Sequence, residues 1–183
     1  MAYRNGTYIA FHAEGITDPT ASDIKYFNIM KAWHENDDIS FRFINSHDKV
    51  YAVRDSSKME TLRRSLVERL NNSKNMVLIV GPRTRYDLDW VPFEINYAVE
   101  KCGLPIIVTY PGYTSIMNPK ALSELWPKAL ANHIGTGAVR AIHVPFQRNA
   151  IDAAIRQYDL NKKPGSSLDY WSATAHRSFG INV

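Results

Sequence analysis

The chain is short of the features that would take it out of the ordinary globular proteins. Its single cysteine, Cys102, leaves no intramolecular disulfide framework and suits a reducing compartment. No apolar run approaches the roughly 20 residues that a membrane span needs; the strongest, residues 76–80 and 105–108, are far shorter. The opening MAYRNGTYIAFH has no basic patch followed by a long apolar core. No signal peptide and no membrane association are therefore expected, and the expected location is cytoplasmic. Neither G-x-G-x-x-G nor a P-loop occurs, which argues against a Rossmann dinucleotide fold and a nucleoside triphosphatase. The six histidines are dispersed, with no H-x-x-H or H-E-x-x-H, so no metal site is expected. There is no G-x-S-x-G elbow to anchor a Ser-His-Asp triad. The net charge of +4 is spread along the chain, without the Lys/Arg block of a nucleic-acid footprint.

What is present is an alternation of short apolar runs with helical periodicity. At 183 residues the chain suits one domain, burying roughly 70 % of its unfolded surface without a covalent staple. Residues 7–11 read as a first strand. Ile24, Phe27, Met30 and Trp33 then recur on one helical face behind Asp23. Residues 39–44 read as a second strand, followed by a polar loop over 45–55. Met59, Leu62, Leu66 and Leu70 mark an amphipathic helix with Ser56 or Ser57 as its cap, ending near Asn71 and Asn72. Residues 76–81 and 105–110 are apolar on both faces, as strands covered on each side must be. Between them, residues 90–101 form a helix with Asp89 as N-cap, Pro92 tolerated in its first turn and Gly103 past its end. Residues 139–144 give a fifth strand, and Ile151, Ala154, Ile155 and Tyr158 a last amphipathic helix.

Five strands joined by helical crossovers predict an α/β fold, an open parallel sheet with helices on both faces. The expected domain covers residues 1–160. Within it, residues 111–137 form an insertion, a long loop with one helix over 121–131 that Pro127 interrupts or restarts. Residues 161–183 are expected as an irregular tail, either packed over the body or partly disordered.

Ligands of such sheets bind beyond the carboxyl ends of the strands. Of the segments this rule nominates, residues 81–94 (GPRTRYDLDWVPFE) are the richest in chemistry. Trp90 and Glu94 are four apart, on one helix face and close to its N-terminus, where the dipole favours an ionised carboxylate. An ionised carboxylate beside an aromatic wall suits a reaction that develops positive charge on a sugar carbon. Arg83 and Arg85, on the same loop, are candidates for binding phosphate groups. Cys102 and His143 read as packing residues rather than as a nucleophile and a ligand.

The run from Asn75 through Gly81-Pro-Arg-Thr84, then Trp90-Val-Pro-Phe-Glu94-Ile and Leu104-Pro-Ile-Ile-Val108, resembles the TIR-like family. More narrowly, it resembles the bacterial TIR-like proteins of the Thoeris anti-phage kind, over roughly residues 7–110. Their W-x-x-x-E pattern falls here on Trp90 and Glu94, and Phe11-His12 matches the end of their first strand. The resemblance implies a flavodoxin-like three-layer sandwich with strand order 2-1-3-4-5. It also implies cleavage of the nicotinamide–ribose bond of NAD+ to nicotinamide and an ADP-ribose derivative, linear or cyclic, acting as a signal. By position, Glu94 is then catalytic, Trp90 supports the site, Phe11 and His12 line its floor, and Asp48 or Asp55 reaches it from the loop after the second strand. NAD+ is a substrate in this reading and no prosthetic group is implied. Self-association or another TIR-like or effector protein is the expected partnership, with no nucleic acid. Pro92 and the insertion at 111–137 depart from general TIR features. Two other functions share the fold: a non-catalytic TIR-like interaction module, and a nucleoside deoxyribosyltransferase-like enzyme.

Overall fold

The computed structural model describes residues 4–13, 22–36 and 56–183, of which residues 56–58 by backbone alone. Strands β1 (Gly6–Ala10), β2 (Ser73–Ile79), β3 (Ile106–Tyr110), β4 (Ala141–Pro145) and β5 (Asp169–Tyr170) form one parallel sheet in the order β1-β2-β3-β4-β5. Period-two alternation sends Tyr8, Ala10, Met76, Leu78, Ile106, Val108 and Tyr110 to one face. Ile9, Phe11, Val77, Ile79, Ile107, Ile142 and Val144 go to the other. A parallel sheet needs both faces covered, and the helices divide accordingly. Helices α2 (Ser56–Asn71), α3 (Trp90–Asn96) and α4 (Lys128–Thr136) bury Leu62, Leu66, Leu70, Val91, Ile95 and Leu130 against the first face. Helices α1 (Ile24–Glu35) and α5 (Arg148–Gln157) bury Phe27, Met30, Ile151 and Ile155 against the second. The result is the three-layer α/β sandwich that the alternation of runs predicts.

Strands 1, 3, 4 and 5 of the expected series stand side by side as β1, β2, β3 and β4, which is their sequence in the order 2-1-3-4-5. The expected second strand, residues 39–44, and the loop at 45–55 lie outside the described residues. The fifth member of the described sheet is instead β5, from the segment expected to be an irregular tail. This segment also holds helix α6 (Ala173–Ser178), capped by Ser172, whose Oγ accepts the Ala175 amide at 3.2 Å. Its aromatic residues hold it in place: Trp171 donates to the Ala150 carbonyl at 3.2 Å, and Phe179 stacks edge-on to Trp171. His176, wholly buried, accepts the Ile116 amide through Nε2 at 3.3 Å. Spacing alone missed these elements because they are two and six residues long, below the length at which periodicity is readable.

In the 111–137 insertion, the expected helix is two: a 3-10 segment, Pro119–Leu125, and then α4. The break is at Pro127. The ring disfavours helical backbone at the preceding residue, and Trp126 is extended, with ψ 135°. Helix α3 passes into a π turn, Tyr97–Lys101, before Gly103 closes it at φ +64°.

Candidate active site around Glu94

The loop leaving β2 makes a single 3-10 turn, Thr84–Tyr86, before entering α3. The cap expected from Asp89 comes from Asp87. Its Oδ1 accepts the amides of Asp89 and Trp90 at 3.0 Å and of Val91 at 3.3 Å. Asp89 already has helix-like backbone and makes no side-chain cap, whereas an Asp set two residues earlier reaches the amides two and three ahead of it. The other oxygen of Asp87 accepts from His12 Nδ1 at 2.9 Å. Burial pushes the Asp87 carboxyl up, but the His12 hydrogen bond and charge and the cap amides together hold it below its ordinary value. Asp87 is therefore an anion at neutral pH.

Glu94 is wholly buried, and the Tyr8 hydroxyl donates to its Oε1 at 2.5 Å. The ionised form expected from the helix dipole is not the form this environment favours. Burial pushes the carboxyl up to about 8, the Tyr8 bond only partly offsets it, and the Asp87 charge adds to the rise. The dipole acts mainly within the first turn, and Glu94 is the fifth residue of α3. Desolvation wins. In this state Glu94 carries a proton at pH 7.

The remaining expected site residues separate. Trp90, the first residue of α3, is half-buried, packs on the core and lends its amide to Asp87. His12 joins the site through Asp87. Phe11 does not: odd-numbered residues of this strand face the other layer, and its ring stacks on Phe27 at 4.7 Å, away from Glu94. Arg83 is exposed. Arg85 is drawn toward the insertion, donating to the Glu124 carbonyl at 2.6 Å. Asp48 and Asp55 lie outside the described residues. Asp23 and Thr84, which the sequence did not place at the site, are buried together at the loop. Thr84 Oγ1 donates to Asp23 Oδ2 at 2.5 Å and accepts the Gly81 amide at 2.8 Å. A Cβ on Gly81 would fall 1.8 Å from Asp23 Oδ1, so the glycine and threonine of Gly-x-x-Thr serve one tie between this loop and the start of α1. Tyr8, also missed, shares its strand parity with His12; that parity was the available signal.

Residues 8–116, more than half of the chain, match the family described as Thoeris protein ThsB, TIR-like domain. The chain belongs to the ThsB TIR-like family. The matched span takes in Tyr8, His12, Gly81, Thr84, Asp87, Trp90 and Glu94. A second buried polar group runs from Tyr110 inside this span to residues beyond it. Trp126 Nε1 donates to the Tyr110 hydroxyl at 2.8 Å, and Tyr110 donates to His143 Nδ1 at 2.6 Å. His143 Nε2 donates in turn to the Ser167 carbonyl at 3.0 Å. Burial pushes His143 down to about 4 and Tyr110 upward, so both stay neutral and the chain of donors has one direction. It ties the insertion, two strands and the tail together. Among the described residues, no three His, Cys, Asp or Glu side chains converge as a metal site, and no helix is long and apolar enough to cross a membrane.

Proposed function

We propose that this ThsB-family domain cleaves the nicotinamide–ribose bond of NAD+, giving nicotinamide and a linear or cyclic ADP-ribose derivative that signals in bacterial anti-phage defence. The observation that carries the reading is the carboxyl of Glu94, at the W-x-x-x-E position of a ThsB-type domain, held by Tyr8 with ionised Asp87 nearby. In the reaction, the electron pair of the C1′–N bond leaves with nicotinamide, whose ring nitrogen loses its positive charge. The ribose carbon becomes oxocarbenium-like and is stabilised by a carboxylate. Water then attacks C1′ and gives up a proton, or a nucleophile within the ligand closes a ring. Glu94 stabilises the cation only when ionised, and a pyridinium-ribosyl cation beside it favours loss of its proton. Exposed Arg83 is the phosphate contact in this reading. Chemistry at Glu94 also requires that it be uncovered, since no solvent reaches it here.

That burial favours a second reading, a non-catalytic signalling module in which Glu94 and Tyr8 are a structural tie. Chromatographic assay of nicotinamide release from NAD+, with concentrated parent protein beside Glu94→Gln, separates the two. Release by the parent alone supports the enzyme. Silence of both, with equal folding and self-association, supports the module.

A further inference from the structure

The loop between β2 and α3 is braced at every third residue, Gly81, Thr84 and Asp87. Thr84 Oγ1 lies 2.8 Å from the Gly81 amide and 2.5 Å from Asp23 Oδ2, and Asp87 holds both His12 and the first amides of α3. The residues between these anchors face solvent. Leu88 is 81 % exposed and Tyr86 63 %, the two most exposed large apolar side chains among the described residues. Arg85 and Asp89, which flank them in the chain, are exposed as well. Single apolar residues on a surface are ordinary. Two of them on a loop already fixed in place lose little further freedom when a partner covers them, which favours binding.

We propose that this loop is a contact surface for a second copy of the chain. Its exposed residues run cation, apolar, apolar, anion: Arg85 and Tyr86 before the inward-facing Asp87, Leu88 and Asp89 after it. In a two-fold contact, residue i of one copy meets j of the other and j meets i. With the axis at Asp87, Tyr86 of each copy meets Leu88 of its mate and Arg85 meets Asp89, so the apolar pairs and the opposite charges match at once. Among the described residues Asp89 makes no ion pair. Arg85 has donors to spare: one serves the Glu124 carbonyl at 2.6 Å, and its guanidinium lies 4.9 Å from the centre of the Tyr86 ring. Glu124 Oε2, 3.9 Å away on a side chain 91 % exposed, holds it only weakly. Residues 82–89 are too few to cover the roughly 800 Å² per partner of a stable interface, so the association is weak and depends on concentration. The contact needs no turnover of NAD+ and stands or falls apart from the reading above.

The test is sedimentation equilibrium of the full chain from about 10 μM to about 1 mM, with circular dichroism to check that each variant is folded. The parent forms a dimer with Kd inside that range. Leu88→Asp enters the contact twice and weakens it by about tenfold or more. Asp89→Lys alone and Arg85→Glu alone each set like charges opposite one another and weaken it too. The two together restore opposite charges and bring the dimer back, a rescue that a folding defect does not produce. A parent that stays monomeric throughout overturns the proposal, as it would if the loop served a different protein. A dimer that Leu88→Asp leaves unchanged, or that the double reversal fails to restore, overturns it equally. Should Leu88→Asp not fold, Leu88→Ser replaces it with the same expected direction.

Discussion

Replacing Glu94 by glutamine should make the stability of this protein less sensitive to alkali. Glutamine has the same shape, keeps an oxygen for the Tyr8 hydroxyl and has no proton to lose. In the parent, the folded-state carboxyl titrates at about 8 against an ordinary 4.5. Between those values the native state binds one more proton than the unfolded state. Stability therefore falls by about 1.4 kcal/mol for each pH unit across that window and levels off above it. The contribution is fully present below pH 4.5 and is lost as pH passes 8. Summed over the window, the parent loses about 3–5 kcal/mol relative to Glu94→Gln. For a chain of this size that is roughly 10 °C in relative melting temperature at pH 9. Urea unfolding of both proteins from pH 4 to pH 9 is the assay. Parallel curves would refute the reasoning, because they would mean that Glu94 ionises in the folded protein as it does in the unfolded one.

Four further substitutions probe other parts of the structure. Tyr8→Phe removes the donor to Glu94, costing about 1–3 kcal/mol in urea unfolding and moving the ionisation of Glu94 to still higher pH. Gly81→Ala drives a methyl group into the Asp23 carboxylate and should cost about 2 kcal/mol or more, seen as a lowered melting temperature. Trp126→Phe removes one donor from the Tyr110 hydroxyl, at about 1 kcal/mol. Tyr110→Phe strands both Trp126 Nε1 and His143 Nδ1 and should cost about 2–4 kcal/mol by the same measurement. Equal costs for these last two would contradict the place of the Tyr110 hydroxyl as the bridge between Trp126 and His143.

The sequence by itself determined the layers of this protein. Strands apolar on both faces can only lie in a sheet covered twice, and the three-to-four spacing of Leu62, Leu66 and Leu70 or Ile151, Ala154 and Ile155 says which helix faces do the covering. The same residues, with Trp90 and Glu94 four apart, were enough to suggest the family that residues 8–116 match. The state of the site needed the tertiary structure. The local signal at Glu94 is a helix dipole, which favours the charged carboxylate. Its burial against Tyr8, which favours the neutral one, depends on a residue 86 positions away. Asp87 and Asp89 are equivalent as caps until the backbone of the loop is fixed. Phe11 and His12 are neighbours in the chain, yet strand geometry places them in opposite layers, one on Phe27 and one on Asp87. Desolvation, and which layer each face of a strand meets, depend on what surrounds a residue, so they became visible only when the chain had folded around it.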